Sequence, residues 1–162
     1  MSSSGLALPT APETSAFRAV VAVVRRDPDL RRIGLVVRAW DGRPEDLAAP
    51  TPAQLPWLRL TPAPGDSGWE SEGQHRASFL VHLELAVAGT NTDSLLDLWA
   101  ALRTALFPTD PTRRSAVRAL LLAAGITQGT LTQQPFRVKT LDGNQHALAA
   151  TGALKLTLMV ST

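Results

Sequence analysis

Cysteine is absent from the 162 residues, which excludes thiolate zinc sites, iron–sulfur clusters and cysteine catalysis. No disulfide framework is needed either, because a chain of this length buries roughly two-thirds of its unfolded surface on folding. Long apolar runs are also missing: none approaches the ~20 residues that span a bilayer. Residues 1–14 lack the basic and apolar regions of a secretory signal, so a cytosol is the expected place of synthesis and use. Aromatics make up only 5% of the chain, and the formal net charge is a modest +2. Basic residues interleaved with aromatics, the pattern of nucleic-acid readout, are therefore not found. Gly34, Gly42, Gly65, Gly68 and Gly73 are isolated turn glycines that form neither a Walker pattern nor G-x-G-x-x-G, and no G-x-S-x-G is present.

What is present reads as one compact domain. Residues 1–50 carry seven Arg against six acids, 51–100 two Arg against six acids, and 101–162 seven Lys and Arg against two acids. An acidic middle and a basic end can present complementary faces to copies of the same chain. Residues 1–14, MSSSGLALPTAPET, read as a flexible arm that a neighbouring chain would have to hold, and 15–162 as a single domain.

Ser15 is a candidate cap for a helix whose stripe is Phe17, Val20, Val21 and Val24, ending at Arg25-Arg26. Asp27-Pro28 reads as an N-cap followed by the first helical position, opening one short turn that Gly34 breaks. Leu35 to Trp40 is a strand, Arg43 to Gln54 a surface loop, and Leu55 to Thr61 a short strand with Pro56 at its start. Pro62 to Gly73 reads as a polar loop carrying Asp66, Trp69, Glu70 and Glu72. From Ala77 to Val87, odd positions are apolar and even ones mostly polar, the pattern of a sheet wet on one face. Thr92 or Asp93 caps a helix with Leu95, Trp99, Leu102 and Leu106, and Asp110-Pro111 opens another with Val117, Leu120, Leu121 and Ala124. Thr130 to Thr140 is an edge or broken strand because of Pro135, Asp142-Gly143 is a turn, and Leu154 to Val160 is a final strand. The expected fold is α+β: a single, mainly antiparallel sheet of four to five strands with two to three helices on one face.

Three side-chain groups invite a chemical reading. His82 and Glu84, two apart on a strand, share a face and resemble a metal or acid/base pair, but no third ligand stands at a recognisable spacing. A cross-strand polar pair is the plainer account. Arg113, Arg114 and Arg118 cluster at a helix start, where positive charge opposes the macrodipole and a carboxylate partner would offset it. Trp57 and Trp99 fall on apolar faces and read as core, whereas Trp69, flanked by acids, either folds back on its own domain or anchors a partner.

The run from Pro56 to Pro108 is distinctive: the strand LPWLRLT, an acidic segment, the long strand HRASFLVHLELAVAG and the helix TDSLLDLWAALRTALFP. With the preceding helix and strand and the final GALKLTLMV, it resembles the tail terminator, or tail-completion, proteins of long-tailed bacteriophages, the lambda-type family, from about Ser15 to the end. The Pro-rich stretch 43–54 and the N-terminal arm depart from the family's pattern.

The resemblance implies a non-enzymatic virion protein of the tail or neck, assembled in the host bacterial cytoplasm, with no cofactor, no metal and no membrane. It implies a ring, typically of six copies, that caps the tail tube, stops its polymerisation and offers a surface for head joining. The partners would be other copies, the tube protein and a neck or head-completion protein, with DNA only passing through the ring. A closed ring needs two unlike patches on each copy. Asp66, Glu70 or Glu72 of one copy is expected against Arg113, Arg114 or Arg118 of another, with Trp69 among the contacts. Two other classes stand beside this reading. A neck or connector protein would bind a portal or adaptor instead, and a small hydrolase or metal enzyme would lose activity on His82→Ala.

Overall fold

The computed structural model describes residues 11–41, 43, 46, 48–71, 74–141 and 145–161, with backbone alone for 64–71, 74 and 160–161. Among the described residues, four α-helices and six strands lie in the order α1 (Pro12–Arg26), α2 (Pro28–Ile33), β1 (Val36–Ala39), β2 (Trp57–Ser71), β3 (Gln74–Ala88), α3 (Thr92–Leu106), α4 (Pro111–Ala123), β4 (Ile126–Gln133), β5 (Arg137–Thr140) and β6 (His146–Ser161). The strands form one sheet in the order β1-β2-β3-β6-β4, with β5 also on β6. Only β1 with β2 is parallel; the other pairings are antiparallel. The α+β architecture expected from the sequence is the one observed, with six strands among the described residues instead of four to five and four helices instead of two to three.

Helix boundaries follow local chemistry. The Asp27 side chain accepts from the Leu30 amide and Pro28 occupies the first turn of α2, which closes at Gly34 with φ 82°. Asp110 and Pro111 do the same for α4, where the Asp110 side chain accepts from the Arg113 amide. Two expected caps move. Helix α1 begins at Pro12, not after Ser15, because a proline at the first position is already set for helical φ. The cap of α3 is Asn91, whose side chain accepts from the Asp93 amide, one residue before the Thr92 or Asp93 expected. Most of the arm read at 1–14 lies outside the described residues, and so does the Asp142-Gly143 turn.

The alternation of β3 works as expected. Phe79, Val81, Leu83 and Leu85 are buried against Val20 and Val24 of α1 and Leu95, Trp99 and Leu102 of α3 in one core cluster. Leu58 and Leu60 of β2 and Leu148, Leu154, Leu156 and Leu158 of β6 join it. Trp57 is buried too, but on the opposite face of the sheet, with Ala86 and Ala149. Trp99 reaches β6 where it has a glycine: a Cβ on Gly152 would lie 2.6 Å from the Trp99 ring and 2.5 Å from the Thr132 carbonyl oxygen.

The largest departure from the sequence reading is at 62–73. Instead of a loop, β2 continues to Ser71 as one 15-residue strand paired with β3, with register shifts between Pro64 and Ser67 and between Trp69 and Ser71. The prolines are tolerated for a geometric reason. Carbonyls of Pro56 and Leu60 accept from Val36 and Trp40, so the even-numbered backbone groups of β2 face the β1 side. Pro62 and Pro64 continue that parity beyond the end of β1, where the missing amide donors interrupt no ladder bond. At the other border, β4 and β5 are one edge strand broken around Pro135, as its position implies. Strand β6 is twice the length expected, because His146 to Gly152 lacks a polar alternation: Ala147, Leu148, Ala149 and Ala150 are all buried.

Candidate functional site

Arg113 finds its carboxylates within its own chain. The first turns of α2 and α4 lie side by side, and the guanidinium pairs with Asp27 and, at 3.2 Å, with Asp29. Asp29 also pairs with Arg32. Hydrogen bonding to Asp29 and the charge of Asp27 outweigh desolvation and hold the Arg113 pKa above its ordinary value. This pairing offsets the unfavourable placement of a cation in a helix's first turn. The carboxylates expected from another copy are supplied to Arg113 by its own chain. The signal for this pairing is the repeated Asp-Pro cap, since two such caps brought together place Asp27 beside the residue three after Asp110.

Arg114 and Arg118, one turn apart, are exposed and enter no ion pair among the described residues. They border an apolar cleft of about 240 Å³ between α4, the end of α3 and β4, lined by Leu106, Phe107, Val117, Leu121, Leu122 and Leu156 among others. The cleft exists because α4 has no fully buried residue: its stripe of Val117, Leu120 and Leu121 is only partly covered. Phe107, which ends α3, settles over Gly129, where a Cβ would stand 3.5 Å from its ring. Phe107 and Leu122 remain 39% and 49% exposed. The periodicity of α4 announces the stripe but not that it stays open.

Asp66, Trp69 and Glu70 lie on β2, with Trp69 opposite His75; Glu72 is outside the described residues. Among those residues no strand pairs with β2 on its other side beyond Leu60. The acidic segment is thus on one border of the sheet, and Arg114 and Arg118 stand beside β4, the opposite border.

The sheet face away from the helices carries a charge cluster centred on β3. Glu84 takes Arg59 at 2.6 Å from β2 and Lys139 from β5. Arg59 also stacks over Trp57, 5.0 Å from the ring centroid. Burial pushes the Glu84 carboxyl up, but Lys139 and then Arg59 more than offset it, leaving its pKa below the ordinary value. His82 is exposed on the same face, and no group of three potential metal ligands occurs among the described residues. Both Glu84 oxygens are occupied by cations, Arg59 of β2 and Lys139 of β5.

No protein-family model and no curated protein matches the sequence. Among solved structures, the chain is similar to a chain of the virion of a native gene transfer agent particle, at 12% identity and a TM-score of 0.38, covering 92% of this chain and 99% of that one.

Proposed function

We infer that the protein is a non-enzymatic structural subunit of a phage-like virion, forming a ring that caps the tail tube, ends its growth and presents the surface for head joining. The observation that carries this reading is the pair of unlike sheet borders. The long β2 edge bears Asp66 and Glu70, and the opposite border next to β4 bears Arg114 and Arg118. A head-to-tail ring needs two different patches on each copy, facing away from each other. In this reading Asp66, Glu70 and Glu72 of one copy approach Arg114 and Arg118 of the next, while Arg113 stays within its own chain.

The test is reconstitution with the tail tube protein of the same particle. Native mass spectrometry is expected to give a closed ring, and negative-stain images should place it on tube ends of uniform length. Particles made without this chain are expected to carry tubes of uncontrolled length or heads without tails. Normal tail length and normal head joining in such particles would overturn the reading. Rings found only on DNA-filled heads would move the protein to the neck.

A further inference from the structure

Register fixes which side chains share the sheet face away from the helices. Arg38 on β1 stands beside Arg59 on β2, which stands beside Glu84 on β3 and, through it, Thr151 on β6. Lys139 reaches the same carboxylate from β5, so Arg137, two residues away on that strand, belongs to this face too. Arg76 has the parity of Glu84 on β3, and Lys155 lies opposite Leu80, which has it as well. Six cations thus share the face, and Glu84 is the one acid among its described strand side chains. That acid already holds Arg59 and Lys139. Arg38, Arg137 and Lys155 are exposed and enter no ion pair among the described residues. Neutral donors lie between the cations: a shallow groove of about 460 Å³ on this face is lined by Arg59, Thr61, His82, Gln134 and Thr151 among others. The one aromatic among the described strand residues of the face, Trp57, is 2% exposed beneath Arg59.

We propose that this face binds the phosphate backbone of duplex nucleic acid without reading its sequence. Uncompensated cations interleaved with hydroxyl and amide donors are the groups that contact phosphate oxygens, and such contacts position a duplex while carrying no sequence information. Arg38 and Arg137 stand four strand intervals apart across β1-β2-β3-β6-β5, about 19 Å at the usual strand spacing. That exceeds the ~12 Å width of the major groove, so the outer cations reach phosphates on both of its banks. A single strand is held by exposed rings on which its bases stack, and the described strand residues of this face offer none. A lipid surface is held by apolar side chains that insert beside the cations, and none of the described large apolar side chains that are exposed occupies a strand position on this face. The face is complete on one copy, so the proposal does not depend on the ring reading.

Fluorescence anisotropy with a labelled duplex of mixed sequence, about 25 base pairs long, should show binding whose log–log slope against salt is about −3, from about 0.9 for each unpaired cation. Arg38→Ala, Arg137→Ala and Lys155→Ala together, checked by thermal melting for an intact fold, are expected to weaken binding about tenfold or more at low salt and to bring the slope close to zero. Arg38→Gln, Arg137→Gln and Lys155→Gln form a second set, for use if the first melts early. Arg18→Ala, Arg25→Ala and Arg103→Ala remove the same charge from exposed positions on α1 and α3 and should leave the slope where it is. A wild-type chain that does not bind, a face set that binds like wild type, or a helix set that loses as much as the face set would overturn the proposal. Equal affinity for polyglutamate or for phosphatidylserine vesicles would assign the face to another class of anion and overturn it too, as would single-stranded DNA bound more tightly than the duplex.

Discussion

Asp27 performs two tasks with one carboxylate, and they can be separated. One oxygen caps α2 at the Leu30 amide, 3.0 Å away, and the other pairs with Arg113. It is the one buried charged residue among those described. Asp27→Asn keeps an acceptor for the cap and removes the charge, so it isolates the ion pair. Asp27→Ala removes both and is expected to cost about 2 kcal/mol or more, of which the cap alone accounts for roughly 0.5–2 kcal/mol. The Asn variant should lie between wild type and Ala in urea melts; an Asn variant as unstable as Ala would mean that the cap contributes nothing. Glu84 gives a pH signature. Its folded pKa lies below the ordinary glutamate value, so its contribution is complete above that ordinary value and is lost as pH falls through the folded pKa. Stability measured between neutral pH and pH 3 should therefore decline, and Glu84→Gln should flatten part of that decline while lowering stability at pH 7.

At the scale of elements, the core of β3 and the glycine in β6 make opposite demands on volume. Leu83→Ala should cost about 2–5 kcal/mol by leaving a cavity between sheet and helices. Gly152→Ala should also destabilise, by about 1–3 kcal/mol, because the added methyl meets the Trp99 ring and the Thr132 carbonyl. Trp99→Leu in the same chain should recover part of the Gly152→Ala loss in thermal melts, and the absence of any recovery would place the clash elsewhere. Amphipathic elements with clean periods, such as β3 and α3, were legible from the sequence, and so were both Asp-Pro caps. The continuation of β2 was not, because Pro and Gly mark turns on composition alone while tolerance for Pro62 and Pro64 depends on which edge their amides face. The first half of β6 escaped for the opposite reason. With both faces covered, Ala147 to Ala150 shows no alternation to read. The open cleft beside α4 was invisible as well: a helix stripe reveals which side turns inward, but how far neighbouring elements cover it is a matter of tertiary packing.

For the whole molecule, the charge asymmetry between the two borders is expected to make the proposed ring sensitive to salt. Exposed ion pairs contribute only ~0–1 kcal/mol each, so they set register more than affinity. Reversing Arg114 and Arg118 should weaken the ring, and reversing Asp66 and Glu70 in the same chain should partly restore it; a ring whose size and salt response ignore both changes would remove the charges from the contact. The sheet order also bears on how the protein comes into being. Strand β6, formed by residues 146–161, sits in the interior of the sheet between β3 and β4. During synthesis the helices and the β2–β3 hairpin leave the ribosome first, yet β3 keeps one side bare and β4 has no partner until β6 has emerged. The nascent chain is thus held unfinished until translation has passed the last strand, and ribosome-arrested chains ending at Leu141 should be digested by protease under conditions that spare the released product. A chain with this sheet order completes its fold only as a whole.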